Sequence, residues 1–158
     1  MADLKKLDGY LVEAAELYEK GRRFRQAADI FRDTGHYLKA ANSYQQAEMF
    51  ERAADMFELA GEPLKAAACY EKIHNFQRAH KIYLEAKDFP SAGRVLALYY
   101  QSRVSDPSAS QNISLSLRKI ALQSGRLFIL GGRFREAGEI LAAGAWHREA
   151  GNAYAQAR

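Results

Sequence analysis

An alanine followed in all but one case by a second small residue recurs along this chain at a spacing of 13. Ala14-Ala15, Ala27-Ala28, Ala40-Ala41, Ala53-Ala54, Ala66-Ala67, Ala79-His80 and Ala92-Gly93 hold that interval without a break. Three residues before each pair stands Leu11, Phe24, Tyr37, Phe50, Pro63, Phe76 or Phe89. Four residues after its first member stands Tyr18, Phe31, Tyr44, Phe57, Tyr70, Tyr83 or Leu96. Offsets of three and four bring all of these onto one face of a helix, so each unit predicts a short amphipathic helix. Thirteen residues leave room for about three turns and a linker. The alanines mark where a neighbouring helix comes close, and the aromatics fill the volume beside that contact.

A second period overlies the first, because Gly9, Gly35 and Gly61 recur every 26 residues, as do Lys39 and Lys65. Two helices therefore form the repeat, and segments 10–35, 36–61 and 62–87 read as successive αα-hairpins. Gly35 and Gly61 suit left-handed C-caps after the second helix of each. Lys87 takes the glycine's place in the third. Pro63 and Pro90 fall in first turns, where proline is tolerated best.

After Phe89 the pattern falters. Residues 101–112, QSRVSDPSASQN, are serine-rich and contain Pro107, which predicts an inserted surface loop. The unit then reappears, with Ser124, Ala137 and Ala150 again 13 apart and the phase shifted by six residues. Residues 113–158 thus predict a resumed array, and the whole of 1–158 one all-α solenoid domain. The last unit is still in pattern at Ala157 and Arg158, which predicts either a segment of a larger scaffold or self-association through terminal helices.

Runs such as FRQAADIFRDTG, FERAADMFELAG and FREAGEILAAG resemble the tetratricopeptide class of α-solenoid across nearly the whole chain. The likeness implies a right-handed superhelix of stacked antiparallel helix pairs that holds other proteins. The unit departs from a tetratricopeptide repeat, which has about 34 residues and unequal helix spacing. Short equal hairpins are more similar to the helical arms of intraflagellar-transport, coatomer, clathrin and Elongator scaffolds and of very large helicase-like proteins. All of these are interaction platforms.

Physics points the same way, because stacked hairpins bury one continuous core and leave extended faces whose side chains repeat in register. The exposed readers on such faces are the residues just before the alanine pairs, Lys39, Arg52, Lys65 and Arg78, with Lys39 and Lys65 in one row and Arg52 and Arg78 in another. Solvated surface charge is the plainer reading of the same residues, and a row that binds a protein or peptide is the sharper one. Charge is also uneven. Residues 1–79 carry 12 Lys/Arg against 13 Asp/Glu, and residues 80–158 carry 11 against 6. Arg126, Arg133 and Arg135 belong to that basic half, which opens an alternative: an adaptor contacting nucleic acid or an acidic membrane surface. No RNA-reading aromatic–glycine motif or zinc-ligand spacing accompanies the charge.

Nothing in the sequence predicts an enzyme, a cofactor or a metal. Cys69 is the lone cysteine and sits at the repeat position of Leu17, Ile30, Ser43 and Met56, so it reads as a core filler. His74 and His80 are six apart, a poor helical spacing for shared ligation. Gly131-Gly132 beside Arg133 reads as an interhelix turn. One cysteine excludes an internal disulfide, the first eight residues lack an apolar leader, and no apolar run reaches the roughly 20 residues of a spanning helix. These features predict a cytoplasmic, or else nuclear, protein.

Overall fold

The computed structural model describes residues 2–105 and 115–158, with side chains from residue 9 onward. Among the described residues there are ten helices and no strand: α1 (Ala2–Lys20), α2 (Phe24–Asp33), α3 (Tyr37–Gln46), α4 (Phe50–Leu59), α5 (Pro63–Lys72), α6 (Phe76–Glu85), α7 (Phe89–Val104), α8 (Leu115–Leu130), α9 (Phe134–Ala143) and α10 (His147–Gln156). Every helix from α2 to α7 begins on the large residue that precedes its small pair, Pro63 included, and so does α9. They form two compact units, residues 1–75 and 76–158. Within each unit every helix packs against the next in chain order.

In the first unit the alanine pairs make that packing close. Ala27, Ala28, Ala40, Ala41, Ala53, Ala54, Ala66 and Ala67 are all fully buried, and so are Phe31, Tyr44 and Tyr70 beside them. Burying one such aromatic contributes about 2 kcal/mol, and it is the small partner that lets the ring reach its place. Contacts between alternate helices define two layers. Lys39 and Ser43 of α3 bond to Glu16 and Glu19 of α1, while Arg52 of α4 reaches Asp29 of α2.

The second unit is built the same way around Tyr100, Ala121, Phe128, Ala137, Ile140, Leu141, Ala150 and Ala153. Here Gly93 and Ser124 bring α7 and α8 together, and the buried Ser124 hydroxyl donates to the Gly93 carbonyl at 2.7 Å. A Cβ on Gly93 would lie 3.2 Å from the Ser124 carbonyl oxygen, so the small pair is a packing requirement.

One three-residue link joins most consecutive helices. Its middle residue is left-handed, at Arg22, Gly35, Glu48, Gly61, His74, Lys87, Gly132 and Ala145. The following N–H returns to the carbonyl of the large residue five positions back: His36 to Phe31, Met49 to Tyr44, Glu62 to Phe57, Arg133 to Phe128, at 2.7 to 2.9 Å. This is a Schellman closure, and it makes the turn repeat every 13 residues rather than every 26. Gly9, which shares the 26-residue spacing, lies inside α1 and closes no turn. The first helix accordingly begins well before residue 10.

The expected loop at 101–112 starts too early. Residues 101–104 continue α7, because Tyr100 is buried with its hydroxyl donating to the Ala143 carbonyl at 2.7 Å, and Ser102 bonds back to the Tyr99 carbonyl. The rest of that loop from residue 106 on, together with residues 113 and 114 beyond it, lies outside the described residues. α7 and α8 each have 16 residues where α2 to α6, α9 and α10 have 10. The six-residue phase slip is therefore one lengthened hairpin, two helices longer by six residues each with a longer connection, and not an extra repeat.

Candidate partner-binding surface

The residue before each alanine pair opens the first turn of its helix and points back over the helix before. Lys39 Nζ lies 5.4 Å from the centre of the Phe31 ring, Arg52 lies 5.8 Å from that of Tyr44, and Lys65 lies 5.9 Å from that of Phe57. Each cation thus caps the buried aromatic eight residues earlier. Such stacking contributes about 0.5 to 1 kcal/mol at exposed sites.

Carboxylates complete the arrangement. Lys39 pairs with Glu16 at 2.8 Å and Arg52 with Asp29 at 3.7 Å, both partners 23 residues earlier. At that offset from Lys65 stands Asn42, and Lys65 pairs instead with Glu62 in its own first turn at 3.4 Å. The hydrogen bond and charge of Lys39 hold the Glu16 carboxyl below the usual carboxylate range. Asp29 also accepts from the Tyr44 hydroxyl, and Asp55 from that of Tyr70 at 3.4 Å. The Tyr44 and Tyr70 hydroxyls are thereby engaged between helices of the first unit. Burial, with Asp29 next, pushes the Tyr44 phenol up.

Lys39, Arg52 and Lys65 are therefore interlayer fasteners that remain about half exposed on their outer sides. Arg78 opens α6 at the same register in the second unit. Arg133, the last residue of the α8–α9 link, meets Glu136 through Nη2 at 2.5 Å, and within α9 Arg135 Nε meets Glu139 at 3.6 Å. Arg126 differs: it is exposed on α8 and has no carboxylate partner among the described residues, and the same holds for Lys119 on that helix and Arg148 on α10. Arg118 turns inward, donating to the Gly144 and Ala145 carbonyls and covering the Trp146 ring at 5.3 Å. The Trp146 indole N–H donates back to the Arg118 carbonyl.

Sequence periodicity assigned Leu11 and Leu17 to the core, but both are exposed on α1, with Tyr10 beside them. Leu17 edges a groove of about 530 Å3 that is also lined by Ala14, Tyr18, Gly21 and Arg23. A shallower one of about 290 Å3 lies over the link between α2 and α3, against Tyr37, Leu38 and Lys39. On α8, Leu115 and Leu130 flank Lys119 and Arg126 along one exposed ridge. The stripe 115, 119, 126, 130 follows helical spacing and was legible in the sequence, hidden by the stronger 13-residue pattern.

Reactive groups are placed conservatively. Cys69 is buried, and burial pushes its thiol up, away from thiolate. His80 Nδ1 lies 3.2 Å from the Ala92 carbonyl, which marks that nitrogen as the protonated one. Among the described residues no three His, Cys, Asp or Glu side chains cluster as a metal site, no buried side-chain nitrogen or oxygen lacks a partner, and no helix is long and apolar enough to cross a membrane. Comparison with protein-family models, with curated proteins and with solved structures gave no match.

Proposed function

We propose that this chain is a non-enzymatic scaffold that holds a partner protein or peptide along the faces of its repeats, in the manner of tetratricopeptide-like arms within larger assemblies. One contrast carries the reading: polar groups inside the stack are satisfied by one another, while Tyr10, Leu17, Leu115 and Leu130 stand exposed on outer helix faces. Large exposed apolar residues grouped on a helix face favour protein contact over solvation. A reducing, cytoplasmic setting suits the single buried cysteine.

A second reading draws on Lys119, Arg126 and Arg148, whose charge is not neutralised by a described carboxylate. It makes the second unit a basic adaptor for nucleic acid or an acidic membrane surface. Salt separates the two, because phosphate contacts weaken steeply with ionic strength and apolar contacts do not. Affinity capture from cell extract should be run at low and moderate salt with the intact chain and with Lys119→Glu/Arg126→Glu. A discrete protein that survives moderate salt supports the scaffold. Nucleic acid or acidic lipid retained only at low salt, and lost in the double variant, replaces it with the adaptor.

A further inference from the structure

Residues of one repeat register show where the first unit is open. At the third position after the first alanine, Ser43, Met56 and Cys69 are buried, Ile30 is half-buried, and Leu17 is 66% exposed. Ala14 and Tyr18 of α1 are likewise only half covered, whereas their counterparts Ala27 and Phe31 in α2 are fully buried. The face that α3 and α4 each give to their two predecessors is, on α1, the 530 Å3 groove. By register, a helical hairpin would occupy it.

Charge restricts which hairpin fits. Register equivalence places the residue before the alanine pair against a residue 23 positions earlier, as Arg52 meets Asp29 and Lys39 meets Glu16. At that position α1 carries Glu13, where α2 to α6 carry Gln26, Lys39, Arg52, Lys65 and Arg78. A docked hairpin must therefore present a base where Glu16 and Asp29 present an acid. A second copy of this chain does the opposite. Its α9 and α10 offer a matching surface, with Tyr154 41% exposed in Tyr44's register and open space around Gly151, but Glu139 stands where Asp29 does. Glu13 would meet Glu139, and like charges brought together at an interface cost several kcal/mol.

We propose that the open face of α1 docks a helical hairpin of a partner protein carrying Lys or Arg opposite Glu13, and that Glu13 denies the same seat to copies of this chain. This rests on the scaffold reading and narrows it to one face. Sedimentation tests that face alone, and extract capture tests the chain as a whole, so the two fail separately.

The probe is the chain itself, made into the stated partner by Glu139→Lys. Sedimentation velocity at low salt should show the intact chain monomeric and Glu139→Lys self-associating at least about tenfold more tightly, with the gain lost at high salt. Glu13→Arg alone restores the interior pattern, a guanidinium over Tyr154 and against Glu139, and should associate likewise. The double variant Glu13→Lys/Glu139→Lys opposes two cations and should return to monomer. Both sites are exposed, so helical circular dichroism should be unchanged throughout. A monomeric Glu139→Lys, an intact chain that associates as tightly as the single variants, or a double variant that does so, would each overturn the proposal.

Discussion

Five of the eight left-handed link residues among the described residues carry side chains, Arg22, Glu48, His74, Lys87 and Ala145, against the intrinsic preference for glycine there. A non-glycine residue in that conformation costs about 1 to 2 kcal/mol, so the stack on either side must hold the turn. Glu48→Gly should therefore raise stability by about 0.5 kcal/mol once glycine's greater unfolded freedom is counted, and Gly35→Ala should lower it by about 1 kcal/mol. Nothing lies within 4 Å of a Cβ on Gly35, so backbone alone sets that cost. Urea midpoints check both, and equal midpoints for the two variants would contradict the account. This is also where sequence reading stopped short: glycine announced only alternate turns, because arginine, glutamate and histidine carry no local signal for a conformation imposed by tertiary packing. A second residue-scale consequence concerns His80. Burial holds its imidazole below the ordinary histidine range of about 6.5, against the opposing pull of the Ala92 carbonyl. The folded chain therefore binds this proton less readily than the unfolded chain, so the stabilisation is complete above about pH 6.5 and is lost as pH falls through the depressed value. The urea midpoint should drop between about pH 7.5 and 5, and His80→Gln should flatten the drop. An unchanged slope in the variant would assign the effect elsewhere.

At the scale of the element, the same small residue has three different values according to what stands opposite. A Cβ on Gly125 would sit 2.5 Å from Leu141 Cγ, and Leu141 is itself buried, so Gly125→Ala should cost about 1 to 3 kcal/mol. On Gly138 the intruding Cβ meets the Tyr154 ring at 2.6 Å, but that ring is partly exposed and can swing outward, which makes Gly138→Ala the milder change. Gly151 of α10 faces open space, and Gly151→Ala should stabilise by about 0.5 to 1 kcal/mol through helix propensity alone. Thermal unfolding that failed to rank the three in this order would show that the helices approach each other differently. The small-pair spacing made these contacts legible as a class, and it located the start of almost every helix. It did not reveal the lengthened α7–α8 hairpin, because an added segment of 19 residues leaves the same remainder against a period of 13 as one of six. Nor did it reveal the cation–aromatic ladder, although the constant offset of eight from Phe31 to Lys39, Tyr44 to Arg52 and Phe57 to Lys65 was available. Those cations read as free surface charge because each ring belongs to the preceding helix, and only packing shows that it lies beneath.

Within a unit of stacked helices, stability is a sum over neighbours, so a residue's importance depends on its place in the array as well as its register. Leu17, Ile30 and Met56 occupy one register position in α1, α2 and α4, and a single-helix view would treat them alike. Their surroundings differ in steps, from a mostly exposed leucine through a half-buried isoleucine to a methionine only 9% exposed. Glutamine suits a helix at each site and differs mainly in needing hydrogen-bond partners when buried. Leu17→Gln should therefore change stability by less than about 0.5 kcal/mol, and Met56→Gln should lower it by about 2 to 3 kcal/mol, with Ile30→Gln between. Circular dichroism in urea reads the series directly. A Leu17→Gln as damaging as Met56→Gln would mean that α1 is covered in solution by something already bound to its open face, and the same variant would then release it. A graded series would establish that the groove is vacant in the isolated chain, with its exposed leucine conferring little stability and remaining available to a partner.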